Sequence, residues 1–227
     1  MTDKYLRRIR SFVTRGGRTS KSQQAAIDKL WPIYGINNSD QQLDFDTLFG
    51  RSAPTILEIG YGMGGSLAEM AQAEPDKNFI GIEVHPPGTG NLLKLIDERE
   101  ITNLRLYNDD AIPFIENNIA KNSLHRVQLY FPDPWHKKKH NKRRIVQVEF
   151  VQKIRERLKV DGLFHLATDW EPYADHMLDI MESAEGFKNI NDTPFMQRPD
   201  FRPITKFEKR GLRLGHDVWD LIYQRIA

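Results

Sequence analysis

Five short apolar runs alternate with stretches of helical period through the middle of this 227-residue chain, and that alternation limits its fold more than any other feature. The runs are TILEIG (55–60), FIGIEV (79–84), LRLYN (104–108), RVQLYF (126–131) and GLFHLATD (162–169), most of them closed by a glycine or an acid. Between them lie SLAEMAQA, NLLKLIDERE, IPFIENNIA and IVQVEFVQKIRERLK, the last with apolar side chains at 145, 146, 148, 150, 151 and 154. Strands separated by helices build βαβ units, so the expected fold is α/β, a doubly wound, mostly parallel, Rossmann-like sheet. A further helix, ADHMLDIMESA, precedes the terminal run VWDLIYQRI, which is expected to be an antiparallel C-terminal strand. The length suits a single domain over 1–227. Residues 1–21 read as a basic, mobile tail, followed by a short helix, QQAAIDKL, ended by Pro32.

Charge narrows the class of ligand. The formal net charge is only +2, yet residues 1–21 carry seven Lys or Arg against one acid, and residues 198–213 carry six against two. A third block, HKKKHNKRR (136–144), holds six Lys or Arg and two His. Three basic stretches on a near-neutral body form the footprint of a phosphate-rich partner, although any one run alone also fits solvated surface charge. Cysteine is absent, which excludes disulfides, thiolate zinc sites and a Cys nucleophile and fits a reducing compartment. No apolar run approaches the roughly 18 residues of a membrane span. The Arg-rich, acid-poor N-terminus, with Leu6, Ile9 and Phe12 at helical spacing, is also compatible with a transit peptide.

LEIGYGMGGS follows the first strand and opens a helix. Gly60, Gly62 and Gly65 fit the GxGxxG pattern in which the backbone turns tightly against a nucleotide, and Glu83 ends the second strand, where an acid accepts from a ribose diol. A nicotinamide dinucleotide and S-adenosyl-L-methionine both satisfy this pattern. Glu58 favours the second, because a carboxylate is unfavourable beside a pyrophosphate and helpful beside a sulfonium and an ammonium group. Asp110, in NDDA, is placed to accept from an adenine amino group, and equally to cap the next helix.

In FPDPWHKKKHNKRR, Pro132 and Pro134 bracket Asp133 just past the fourth strand. Proline fixes its own φ and restricts the residue before it, so one carboxylate is held rigidly where open α/β sheets bind ligands. The cations behind it suit phosphates. His136 and His140 sit at i, i+4, but no third ligand is near, so no metal is expected. Asp169 in ATDW, and Thr205, Lys206 and Glu208 in TKFEKRG, are candidate base contacts, with helix capping or surface pairing as the alternative.

Taken in order, LEIGYGMGGS, GIEVH, NDDA, YFPDPWHKKKHNKRR, ATDW and TKFEKRG resemble the bacterial-type tRNA (guanine-N7-)-methyltransferases over most of the chain. The resemblance implies a class I S-adenosylmethionine-dependent methyltransferase in the cytoplasm, acting as monomer or homodimer without a metal. It implies transfer of a methyl group to guanine N7 at position 46 in the tRNA variable loop. It further implies cofactor contacts from Glu58, Gly60, Gly62, Glu83, Asp110 and Asp133, with Asp133 also catalytic. Lys137, Asp169, Thr205, Lys206, Phe207 and Glu208 would contact the substrate, and Lys139, His140, Asn141, Lys142, Arg143 and Arg144 the RNA.

Overall fold

The computed structural model describes residues 10–13, 17–205, 208–209 and 217–226. Seven strands form one sheet in the order β3-β2-β1-β4-β5-β7-β6. These are β1 (Thr55–Ile59), β2 (Asn78–Ile82), β3 (Leu104–Tyr107), β4 (Leu124–Tyr130), β5 (Leu158–Thr168), β6 (Phe187–Asn189) and β7 (Trp219–Arg225). The first five run parallel. β7 is antiparallel to both β5 and β6, as expected for the terminal run. The strand order reverses between β1 and β4, and a reversal of this kind opens a crevice at the carboxyl ends of the strands.

Strand parity makes two apolar layers. Leu57 and Ile59 of β1 face a core that includes Phe114 of α5 (Ala111–Asn117), Phe150 of α6 (Val148–Arg157) and Met177 of α7 (Glu171–Glu182). Ile56 faces the other, which takes Leu30 from α1 (Lys21–Tyr34), Leu67 from α3 (Gly65–Ala73) and Leu92 from α4 (Pro86–Glu98). β1 and β2 are buried throughout, which is why they read as unbroken apolar runs.

Several boundaries differ from the sequence reading. Helix α1 does not end at Pro32 but continues to Tyr34, since a proline in the last turn forfeits only one backbone bond. Its start is fixed by a capping box: Ser20 Oγ accepts from the Gln23 N–H at 3.2 Å, and Gln23 Oε1 accepts from the Ser20 N–H at 2.9 Å. Helix α4 begins at Pro86, five residues before the run NLLKLIDERE, because prolines in a first turn lose no hydrogen bond. Gly88 is required there: a Cβ would lie 2.1 Å from the carbonyl oxygen of Gly62, so only glycine lets α4 close on the loop after β1. The short helix α2 (Phe45–Phe49), the 3-10 helix Lys138–Arg143 and the edge strand β6 are too brief to leave a periodic signal.

Candidate active site

The carboxyl edge of the sheet carries a cavity of about 910 Å³. Ile59 and Gly60 leave β1 on its wall, Glu83 to His85 follow β2, and Asp110 and Ala111 open α5. Tyr130 ends β4 and Phe131 to Lys137 follow it, and Ser11 to Val13 complete the wall from the N-terminal side. Gly60 and Gly62 adopt φ of +79° and +58°, and a Cβ at either would have nothing within 4 Å, so their hydrogens leave the loop open to a ligand. Gly62 is not itself on the wall. Its N–H donates to Glu83 Oε2 at 2.8 Å, while Glu83 Oε1 accepts from the N–H groups of Val84 (2.8 Å) and His85 (3.0 Å). Burial raises the Glu83 carboxyl above the usual carboxylate range, against these three backbone donors. Of the two expectations for Asp110 the structure shows the cap of α5, in which Oδ1 accepts from the Ile112 N–H at 3.1 Å, and it also sets the residue on the cavity wall.

Asp133 is exposed on the cavity wall. Two prolines flank it, and beyond them Phe131 (φ +50°) and Trp135 (φ +49°) both sit in the left-handed region that bulky residues avoid. Such backbone persists only where its surroundings hold it. Phe131 N–H donates to the Ala167 carbonyl at 2.8 Å, and Arg144 Nε to that of Pro134 at 3.0 Å. Arg144, an expected RNA contact, is engaged as a strut of this loop. It is 6% exposed, lies 4.8 Å from the Tyr173 ring centroid, and its Nη1 donates to the Pro172 carbonyl at 3.4 Å. Arg143 is also engaged, over the Trp135 ring at 4.1 Å with Nε on the Arg10 carbonyl at 3.1 Å. Trp135 Nε1 donates to the Ser11 carbonyl at 3.0 Å, so the described residues 10–13 of the expected mobile tail lie against this loop. Lys138, Lys139 and Lys142 are exposed, and Lys137 and His140 reach the cavity wall. Asn141 is half-buried, with an amide oxygen that finds no donor among the described residues.

The remaining expected contacts divide. Asp169 is exposed one residue past β5. Thr205 and Glu208 form a capping box, in which Thr205 N–H donates to Glu208 Oε2 at 3.2 Å and Glu208 N–H to Thr205 Oγ1 at 3.1 Å. The Glu208 carboxylate is 4% exposed and clamped by Arg202 Nη1 and Nη2 at 2.7 and 2.9 Å, so neither residue is on the cavity wall. Lys206 and Phe207 lie outside the described residues.

A family model described as "putative methyltransferase" matches residues 52–221. The tRNA (guanine-N(7)-)-methyltransferase of Hydrogenovibrio crunogenus is 59% identical over 223 residues, covering 98% of this chain and 93% of that one. Its counterpart from Shewanella woodyi is 58% identical, covering 98% and 94%. The chain belongs to the tRNA (guanine-N7-)-methyltransferase family. Solved methyltransferases share its fold at low identity. The 16S rRNA methyltransferase KamB superposes with a TM-score of 0.60 at 15% identity, covering 82% of this chain and 95% of that one. An rRNA methylase from Streptococcus thermophilus gives 0.53 at 12% identity, covering 93% and 100%.

Two features of this family member were not read from the sequence. The first is a buried chain of polar contacts under the Asp133 loop. Tyr130 O–H meets His165 Nδ1 at 2.8 Å, His165 Nε2 meets Asp220 Oδ1 at 2.6 Å, and Arg202 joins Asp220 through Nε and Nη2, both at 2.8 Å. Burial lowers the His165 pKa, against the opposing hydrogen bond and charge of Asp220. The signal was present: a histidine inside GLFHLATD and an aspartate inside VWDLIYQRI interrupt otherwise apolar strands.

The second is the position of Glu58. Strand parity sets it on the face of Ile56, inside the protein, while the cleft meets this strand at its end, Ile59 and Gly60. Its side chain is 2% exposed and accepts from Gln128 Nε2 at 3.0 Å, rather than lining the cavity. Burial pushes its carboxyl from 4.5 up to about 8, against the Gln128 hydrogen bond and the Arg126 charge. The folded protein thus keeps a proton that the unfolded chain has already released. That contribution to stability is complete below pH 4.5 and is lost as pH rises through about 8. Glu58→Gln removes a destabilising slope of at most about 1.4 kcal/mol per pH unit across this window. Denaturant unfolding of both proteins at several pH values checks this, and parallel pH profiles would refute it.

Proposed function

We propose that this chain transfers a methyl group from S-adenosyl-L-methionine to N7 of a guanine in tRNA, at position 46 of the variable loop, in the cytoplasm. The observation that carries this reading is one rigid carboxylate, Asp133, on the wall of a nucleotide-sized cavity, with a run of exposed lysines continuing directly from it. The glycine loop and the Glu83 carboxylate fit an adenosine group, since Glu83 retains acceptor capacity beyond its three backbone bonds. When bound, the cofactor supplies an electrophilic methyl on a sulfonium.

Guanine N7 carries a lone pair and no proton, so transfer needs no general base. The N7–carbon bond forms as the sulfur–carbon bond breaks, and positive charge moves from sulfur to the purine. A fixed carboxylate beside the base stabilises that charge as it develops, without reorganising during the step. Glu83 accepts from the ribose hydroxyls, and Asp110 is placed for the adenine amino group. Lys137, Lys138, Lys139 and Lys142 hold phosphates and so position the RNA without reading its bases.

The test is transfer of labelled methyl from S-adenosyl-L-methionine to purified tRNA, followed by mapping of the modified base. Label at any atom other than guanine N7, or binding of a nicotinamide dinucleotide in place of the methyl donor, would overturn the reading. A further expected result concerns the lysines. Neutralising Lys137, Lys138 and Lys139 together flattens the log–log salt dependence of tRNA binding by roughly 0.7 to 0.9 for each phosphate that is no longer neutralised, while cofactor affinity holds. Binding isotherms at several salt concentrations measure it, and an unchanged slope would make the run a solvated face.

A further inference from the structure

Trp170 stands apart from the other tryptophans. It is 37% exposed, whereas Trp31, Trp135 and Trp219 are more covered. The indole N–H groups of Trp31 and Trp135 donate to Asn37 and to the Ser11 carbonyl, while that of Trp170 donates to nothing among the described residues. Its ring therefore presents an apolar face and an indole N–H that a partner can cover.

Its position is fixed from both sides. Trp170 caps α7: its N–H donates to Thr168 Oγ1 at 3.3 Å, and its carbonyl accepts from Tyr173 and Ala174 N–H at 2.8 and 3.0 Å. From the other side His136 meets the indole at 4.4 Å between centroids, with the rings at 87°. The left-handed backbone at Trp135 accompanies a divergence of neighbours, with Trp135 bound toward Ser11 and His136 toward Trp170. His136 also lines the cavity, so the pair forms an aromatic step from the cavity wall outward. The exposed Asp169 adjoins it.

We propose that Trp170, braced by His136, is the stacking surface for the acceptor guanine, next to Asp169, which the resemblance already implies as a substrate contact and which suits the N1–H and N2–H donors of that base. This rests on the reading above that a guanine in tRNA is the acceptor. Bases read outside a duplex are held in this way, by stacking on an aromatic face with hydrogen bonds to their edges. The carboxylate gives the occupant its identity, because guanine presents two adjacent donors where adenine presents an acceptor at N1. The basic run behind His136 suits the attached phosphates.

The test is a double-mutant cycle on binding. One tRNA carries the guanosine that the wild-type protein methylates, and the other is abasic at that nucleotide. Removing the base weakens binding to the wild-type protein about tenfold, within the range of one stacked base. Trp170→Leu, which keeps apolar bulk against His136 but has no aromatic face, binds both tRNAs alike, at the level of the abasic complex. Trp170→Phe keeps most of the discrimination, and cofactor affinity stays within about twofold in both variants, which reports an intact cavity. If Trp170→Leu discriminates the two tRNAs as the wild type does, Trp170 is a packing residue and the proposal is wrong. If the variant weakens both tRNAs equally, the ring supports the fold rather than the base and the proposal is equally wrong. Methyl transfer by the wild type is scored separately: a chain that transfers methyl but lacks the coupling loses only the stacking surface, and a chain that transfers none overturns the parent reading and this one with it.

Discussion

Single-turnover methyl transfer by Asp133→Asn falls roughly 100-fold or more at saturating cofactor and tRNA, the scale seen when one preorganised stabilising group is removed. Asparagine keeps the size of the side chain and one acceptor oxygen, so the substitution removes charge and little else. The site is suited to such a test because the loop geometry does not depend on the carboxylate. It is set by the flanking prolines, by the left-handed Phe131 and Trp135, and by Arg144 beneath the Pro134 carbonyl. The expected pattern is a loss in the transfer step with tRNA affinity retained, since the proposed phosphate contacts are the lysines. Cofactor affinity drops modestly if the carboxylate also faces the sulfonium, which is why saturation is required. Rapid-quench measurement of labelled tRNA decides it. A variant that folds, saturates and transfers at the wild-type rate would reduce Asp133 to one member of a rigid turn.

Arg202→Met destabilises the fold by about 3–5 kcal/mol, the usual consequence of removing one partner from a buried ion-pair group. Arg202 is fully buried, and its guanidinium pairs with two carboxylates through bidentate contacts, Glu208 and Asp220. Methionine fills the volume but takes the guanidinium away from both buried acids. Lysine in its place keeps the charge without the planar fork and recovers only part of the loss. The damage is expected to reach the site as well, because the Arg202 guanidinium lies 5.7 and 5.6 Å from the ring centroids of Tyr130 and Phe131, which lead into the Asp133 loop. Denaturant midpoints give the stability loss. A change below about 1 kcal/mol would show that the acids are hydrated or protonated once the arginine is gone.

Both residues show how a site is divided between what a sequence displays and what it conceals. Asp133 was visible because its neighbours are unusual in one dimension: two prolines and a cationic run cannot be mistaken for an apolar strand or a helix. Glu83 and Gly60 were visible because glycine and acid recur at strand ends. Glu58, Arg144, Thr205 and Glu208 were equally visible as residue types, yet the structure gives their side chains internal partners. Arg202 and His165 lie in no motif of their own, although they sit under the loop that carries Asp133.

The parallel α/β core and the antiparallel last strand were legible without coordinates, because burial on two faces and helical period are local patterns. So were the rigid turn around Asp133 and the basic run behind it, since proline restriction and charge density are properties of adjacent residues. Which acids and cations remain available to a ligand was settled by contacts across the fold. Glu58 lies inward because strand parity puts it under α3, and Glu208 is held because Arg202 and Asp220 arrive from elsewhere in the chain. Desolvation and ion pairing depend on neighbours distant in sequence, so no local pattern carries them.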